Sequence, residues 1–345
     1  MKRWIGRFIR QGASGFDRAR TLANSRKSAK ALRAAYCKKN GSVLSPRLTK
    51  SIKTYAENRL GDKRYWHWLA LYTEVRGTFI EGWIPDDYYR FTLLQEWNPP
   101  EYANLSSMKT FDHRLLPGST ITPIVTKLSG IYYDRFMKRV DENSAAGLVH
   151  NHGGEIVIKR DRAASGKGIK FLPATEFKPG LLTNENNYLI QPSVQQHPAL
   201  KALHPESVNT IRVTTFLDGS GNVTVKHRSV RVGVNSERIV NSGDCFFFLD
   251  AGGKAMTAAY GDDGFSKGEL HPDTGYPFRE FHLSCMDEAE KLCISSHLKY
   301  PYVRFIGWDL YINEDEKPVL IEWNTRPDIW VNEAIAGPLW PEGWD

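Results

Sequence analysis

The sequence predicts an α+β protein with a mostly helical front and a strand-rich body. Three observations carry this expectation. Near the N-terminus, Trp4, Ile5, Phe8 and Ile9 recur on one face at helical spacing, with Arg3, Arg7 and Arg10 opposite. From about Lys109 the pattern becomes short apolar runs separated by turn clusters. Among these runs, Leu283 to Leu298 reads as one amphipathic helix.

Length and composition bound the reading. At 345 residues the chain is long enough for two domains, or one large domain with an appendage. Hydrophobic residues at 41% and charged residues at 25% exclude wholesale disorder, collagen and coiled coil. No apolar run approaches the ~18 residues of a membrane span. No apolar stretch follows the first basic residues, so a secretory leader is not expected. Cys37, Cys245, Cys285 and Cys293 form no C-x-x-C pair. Neither a cysteine zinc site nor a disulfide scaffold is expected, and a reducing, cytoplasmic setting is.

The net charge of +7 is unevenly placed. Residues 1–40 carry twelve Lys or Arg and one acid, a net +11, and the remaining 305 residues carry −4. The front segment is therefore a basic helical arm, interrupted at Gly12, Ser14 and Gly15 and stopped at Asn40-Gly41. Such an arm suits an anionic membrane surface, where each Lys or Arg contributes ~1 kcal/mol. Docking of its apolar face on this protein or on a partner is the competing reading. Nucleic acid is disfavoured, because aromatic stacking platforms are not interleaved with the bases.

The elements follow in order. Residues 41–105 are rich in aromatics, Trp66, Trp68, Tyr72, Trp83 and Trp97 among them, and read as mostly helical up to Asn98-Pro99-Pro100. Ile156 to Lys159 is a short strand that leads into the loop 161–168, containing Ser165, Gly166, Lys167 and Gly168. Further strands are expected at 169–172, 188–191, 208–217, 223–232, 246–249, 303–312 and 319–323.

The final hairpin holds the most informative chemistry. A turn centred between Asp315 and Glu316 sets Asp309 opposite Glu322, with Asn324 projecting on the same face. Two carboxylates and an amide oxygen make a hard oxygen site suited to Mg²⁺ shared with a phosphate-bearing ligand. Lys159, at a strand end beside a glycine-containing loop, can meet a phosphate. The loop matches neither G-x-x-x-x-G-K-[ST] nor G-x-G-x-x-G. Arg212, inside an otherwise apolar strand, calls for an anionic partner, either a ligand phosphate or carboxylate or a structural acid. Arg228 and Arg231 raise the same question on the next strand.

In this order the motifs resemble the ATP-grasp superfamily, and most closely its sugar-transfer-associated branch, found among surface-polysaccharide genes. The likeness runs from about Gly82 to Asp328 and rests on Met108-Lys109-Thr110-Phe111, Lys159, the loop to Gly168, Gln191-Pro192-Ser193-Val194, Gln196-His197-Pro198, Asn209-Thr210-Ile211-Arg212, Gly307-Trp308-Asp309 and Ile321-Glu322-Trp323-Asn324.

The resemblance implies two α+β lobes gripping ATP, here residues 106–192 and 193–345. It implies that Lys109 and Lys159 contact ATP phosphates beneath the 161–168 loop. The backbone of Gln191, Pro192, Ser193 and Val194 would meet adenine. Asn209 falls among the nucleotide-binding positions, and Arg212 would touch the γ-phosphate or an acyl phosphate. Asp309, Glu322 and Asn324 would bind two Mg²⁺ ions. Many amide ligases of the superfamily carry Arg two residues before the first metal acid, where this chain has Gly307, and Asn-x-x-Pro-Gly where it has Asn324 to Asp328. Arg228, Arg231 and Arg326 are the candidates for the missing oxyanion arginine.

The activity implied is an ATP-dependent carboxylate–amine ligase acting through an acyl phosphate on a uronic acid and an amino acid or amino sugar, at the inner face of a membrane. A kinase acting on a sugar hydroxyl and a non-catalytic membrane-associated nucleotide-binding adaptor are the alternatives.

Overall fold

The computed structural model describes residues 2–163, 168–182, 185–235, 238–240, 245–340 and 343–344, with side chains from residue 19 onward. Ser165, Gly166 and Lys167 of the glycine-containing loop therefore lie outside the described residues, as do the side chains of Trp4, Ile5, Phe8 and Ile9. The chain divides into two compact units, and the α+β class expected from sequence is borne out.

The first unit comprises residues 1–97, 263–265 and 328–345. It is helical, built on Lys2–Asn40, Pro46–Leu60, Trp66–Arg76 and Trp330–Ala336. Ser45 caps the second helix by accepting from the Leu48 amide at 3.1 Å, with Pro46 at its first position, where no backbone donor is missed. Trp68 is buried while Trp66 lies under the cationic ends of Lys53 and Arg33, the opposite-face placement that a two-residue spacing requires. Trp68, Tyr72, Trp83, Trp97 and Trp340 form the aromatic core.

The arm is one helix, unbroken at Gly12 to Gly15. Isolated glycines cost a helix about 1 kcal/mol each, and packing further along outweighs that. Ala29 is fully buried, Ser25 Oγ accepts from Trp68 Nε1 at 3.1 Å, and Arg33 Nε reaches Glu74 Oε1 at 3.0 Å. The arm and the aromatic region consequently share one unit. Among the described residues no helix is long and apolar enough to cross a membrane.

The second unit comprises residues 98–262 and 266–327 and holds two antiparallel sheets. The smaller contains Val125–Leu128 (β1), Ile131–Asp134 (β2), Arg139–Val140 (β3), Glu155–Arg160 (β4), Ile169–Pro173 (β5) and Tyr188–Pro192 (β6), in the order β3-β2-β1-β6-β4-β5. The helix Glu142–His152 covers it, burying Val149 among Tyr132, Ile156, Ile158 and Ile190. The larger contains Thr210–Leu217 (β7), Val223–Val232 (β8), Cys245–Phe248 (β9), Ala259–Tyr260 (β10), Ser266–Gly268 (β11), Phe305–Ile312 (β12) and Pro318–Asn324 (β13), in the order β11-β10-β9-β8-β7-β12-β13.

Strand alternation divides the larger sheet into a greasy face and a polar face. Ile211, Val213, Val230, Trp308, Leu310 and Trp323 join the buried cluster that the helix Met286–Lys299 packs against. Trp308 and Trp323, paired across β12 and β13, stack with ring centres 6.1 Å apart. Asp309 and Glu322, each adjacent in sequence to one of these tryptophans, are thereby placed on the other face.

Candidate nucleotide and metal site

The terminal hairpin pairs Asp309 with Glu322, as the sequence predicts, but reaches that register by a different route. Asn313 and Lys317 close the turn, so it is centred on Asp315, and Glu316 takes a left-handed backbone with φ of 61°. Leu310 then pairs with Leu320 and Asp309 with Glu322, which leaves Ile321 as an extra residue in a β-bulge. The bulge restores the pairing. It also leaves the Ile321 carbonyl outside the ladder, where Lys159 Nζ donates to it at 3.4 Å.

The face carrying Asp309 and Glu322 gathers most of the predicted groups. Arg212 sits opposite Asp309 on β7 and binds it with two parallel bonds of 2.7 Å, Nε to Oδ1 and Nη2 to Oδ2. Burial pushes the Asp309 carboxyl up, but the Arg212 guanidinium outweighs it and holds the group below the ordinary carboxylate range. Lys109 Nζ meets Glu322 Oε1 at 2.7 Å, with the lysine side chain 8% exposed and the glutamate 45% exposed. Burial brings the Lys159 ammonium down to about 8, opposed by Glu322 and reinforced by Lys109. Arg231 lies two residues beyond Ser229, the Arg212 partner on β8, and so shares this face and adds to the field that keeps Asp309 ionised.

Other predicted residues stand elsewhere. Arg228 is opposite Val213, three residues from Arg231, so it projects from the reverse face, where it pairs with Glu290 of the covering helix. It is thus not a candidate for the oxyanion arginine. Asn209 is fully buried and its amide is spent on structure: Nδ2 donates to the Leu200 and His204 carbonyls, and Oδ1 accepts from the Gly233 amide. It holds the entry to β7.

In the expected hinge, Pro192 has no amide hydrogen and the Ser193 amide donates to Glu155 at 3.0 Å, so neither supplies a free backbone donor. Gln191 does line the cleft, beside Lys159 and Leu189, and Val194 follows β6 in irregular backbone. Gly168 returns the chain into β5, its carbonyl accepting from the Arg160 amide at 3.1 Å. Arg326 is exposed, its backbone amide donating to Asn324 Oδ1 at 2.8 Å.

Asp112, His113 and Thr120 line the site and belong to no sequence motif. Lys109, Asp112 and His113 fall on one side of a short helical segment at i, i+3 and i+4. Burial pushes the Asp112 carboxyl up to about 7, with Lys109 opposing, and Trp323 Nε1 donates to it at 2.8 Å. Thr120 bridges to Leu320 on β13. The helical spacing from Lys109 is the sequence signal that could have found Asp112 and His113.

The donor chemistry fits a hard divalent cation. Asp309, Glu322 and Asn324 each offer side-chain oxygen, one carboxylate is held ionised, and these oxygens keep lone pairs beyond their present partners. Among the described residues no group of three His, Cys, Asp or Glu side chains could hold a metal ion, so any such ion here relies on the amide or on a ligand's oxygens.

Residues 178–338 match the family model described as sugar-transfer associated ATP-grasp. That segment contains the terminal hairpin and Arg212, whereas Lys109 and Lys159 precede it. No curated protein matches the sequence. Solved structures similar to this chain include biotin carboxylase from Campylobacter jejuni, at 12% identity and a TM-score of 0.42 over 75% of this chain and 53% of that one. The biotin carboxylase domain of Hydrogenobacter thermophilus 2-oxoglutarate carboxylase, solved with MgADP, is 11% identical with a TM-score of 0.40, over 68% and 46%. D-alanine–D-alanine ligase from Coxiella burnetii is 11% identical with a TM-score of 0.40, over 68% and 55%. The chain thus spans about half the length of these structures. The likeness to the sugar-transfer associated ATP-grasp family, expected from the order of the motifs, is thereby shown over residues 178–338.

Proposed function

We propose that this protein is an ATP- and Mg²⁺-dependent carboxylate–amine ligase. The observation that carries the reading is the convergence of Lys109, Lys159, Arg212, Asp309 and Glu322 on one side of the larger sheet. In this reading the two lysines and Arg212 bind the triphosphate and orient its γ-phosphoryl group. Asp309, Glu322 and Asn324 would hold Mg²⁺, which supplies charge neutralisation on the phosphoryl oxygens when bound.

A substrate carboxylate oxygen attacks the γ-phosphorus and ADP leaves, giving an acyl phosphate. An amine then attacks the carbonyl, loses a proton, and phosphate departs. Arg231 and Arg326 are the remaining candidates to steady the carbonyl oxygen as charge builds on it. The carboxylate in this reading is a uronic acid of a surface polysaccharide, or its precursor, and the amine an amino acid or amino sugar; the description of the matching family supports the sugar-transfer context alone. The basic arm, residues 1–40, would hold the enzyme at an anionic membrane face.

ADP release with a panel of uronic acids and amines tests the reaction, with hydroxylamine present in a parallel set. A hydroxamate supports the acyl phosphate. ADP release that needs only the sugar and yields no hydroxamate would mean a kinase instead. ATP should raise the melting temperature only with Mg²⁺, by the equivalent of about 2.7 kcal/mol at a hundredfold excess over Kd, and Glu322→Ala should abolish the shift.

A further inference from the structure

The first unit carries a concentration of positive charge that no part of the reaction above uses. On the helix Lys2–Asn40, Arg26, Lys30 and Arg33 follow one another at i, i+4 and i+7, which sets them on one face. Arg26 lies over the Tyr65 ring at 5.5 Å and Arg33 over the Trp66 ring at 5.9 Å, at the start of the helix Trp66–Arg76. Lys53, from the helix Pro46–Leu60, reaches the Trp66 ring at 4.4 Å. The His67 ring stands 4.7 Å from that of Trp66. Cations from two helices thus surround one half-buried imidazole.

Acids account for only part of this charge. Arg26 pairs with Asp87 at 3.2 Å and with Asp62 at 3.8 Å, and Arg33 pairs with Glu74 at 3.0 Å. Among the described residues no acid pairs with Lys30 or Lys53, and neither ring nitrogen of His67 has a hydrogen-bond partner. Burial, and then the charges of Lys30, Arg26, Lys53 and Arg33, bring the ring down to about 4, so it is neutral at pH 7. Like charges gathered without a counter-charge repel. What complements such a cluster is a compact group with more than one negative charge and several acceptor oxygens. A phosphate has both, and a single carboxylate does not.

We infer that Lys30, Lys53 and His67, with Arg26 and Arg33 beside them, form an anion site in the first unit that binds a phosphomonoester or diphosphate group. The site stands whether or not the ligase reading does. Its chemistry is shared by a lipid headgroup and a soluble phosphate, and the experiment has an arm for each.

Full-length protein with isotope-labelled histidine is titrated with inorganic phosphate and with pyrophosphate. NMR follows His67, whose signals are assigned by their loss in His67→Gln. Both anions should shift these signals to saturation. They should also raise the pKa of the ring by about one unit, because its protonated form gains an anionic neighbour. Chloride at matched ionic strength should do neither. In Lys30→Met/Lys53→Met the pKa starts higher, two like charges having gone, and phosphate should move it no further. Lys30→Arg/Lys53→Arg should keep the response. Sedimentation with vesicles then identifies the source. Stronger binding to phosphatidic acid than to phosphatidylserine, lost in the methionine variant, assigns a lipid phosphate; equal binding to the two assigns a soluble one. Three results would overturn the inference: His67 signals indifferent to both anions and to short-chain phosphatidic acid, a response matched by chloride, or a full response in the methionine variant.

Discussion

The Arg212 side chain lies across Gly307 on the neighbouring strand. A Cβ added at 307 would stand 3.2 Å from Arg212 Nη1 and 3.5 Å from its Cδ, with Pro327 Cβ at 3.0 Å on another side. A glycine inside a strand weakens it and often marks such an approach. Here the missing side chain is what lets the guanidinium reach Asp309 with both nitrogens. Gly307→Ala should therefore destabilise the protein by about 1–3 kcal/mol through overpacking. A lowered urea midpoint at constant slope would report it; a midpoint equal to wild type would show that Arg212 and Pro327 give way freely.

Lys159 illustrates how site chemistry opposes stability. Its ammonium is brought down to about 8 by burial and keeps only a long 3.4 Å bond to the Ile321 carbonyl. Lys159→Met should leave the ligand-free melting temperature unchanged or raised. It should weaken ATP binding about tenfold to a hundredfold, the worth of a hydrogen bond to a charged group. Calorimetric titration decides, and an undiminished affinity would remove Lys159 from the phosphate site.

Much of this site was legible in strand alternation. Asp309 opposite Glu322, and Asn324 beyond it, follow from a period of two on either side of a short turn. The bulge at Ile321 did not follow, because an extra residue leaves no mark in an apolar pattern. Arg228 and Arg231 are separable by the same alternation, being an odd number of residues apart, yet the acid that claims Arg228 comes from a distant helix. Asn209 reads as a polar group at a strand entry in either role; only its three-dimensional neighbours show that backbone groups consume it. The arm's helical period was visible, but its partner was not, since docking depends on residues some forty positions away.

That docking changes what the arm is expected to do. Arg33 meets Glu74, whose side chain is fully buried and also accepts from Ser42 Oγ at 2.7 Å and the Val43 amide at 2.8 Å. Arg33→Ala should cost about 1–3 kcal/mol, as a buried charged acceptor loses its cationic donor. Replacing Arg3, Arg7 and Arg10 together by Glu should instead spare the melting temperature and abolish sedimentation with phosphatidylserine vesicles. Retained sedimentation in that triple variant would sink the membrane reading of the arm.

Glu333 should contribute to the pH dependence of the first unit. Its carboxyl is pushed up to about 8 by burial, while the Leu339 and Ile84 amides, donating at 3.1 Å each, pull the other way. An unfolded glutamate titrates near 4.5. Between these values the folded state holds a proton that the unfolded state has released, so stability falls as pH rises through the window. Each displaced unit corresponds to roughly 1.4 kcal/mol, an upper bound on the observed slope. Glu333→Gln keeps the shape and removes this titration, so its stability should decline less steeply than that of wild type, the remaining slope coming from Asp87 and Asp112, which burial raises to about 7. Urea midpoints of both proteins from pH 5 to pH 8 make the comparison, and parallel curves would mean that Glu333 is already ionised in the folded protein at the acid end of that range.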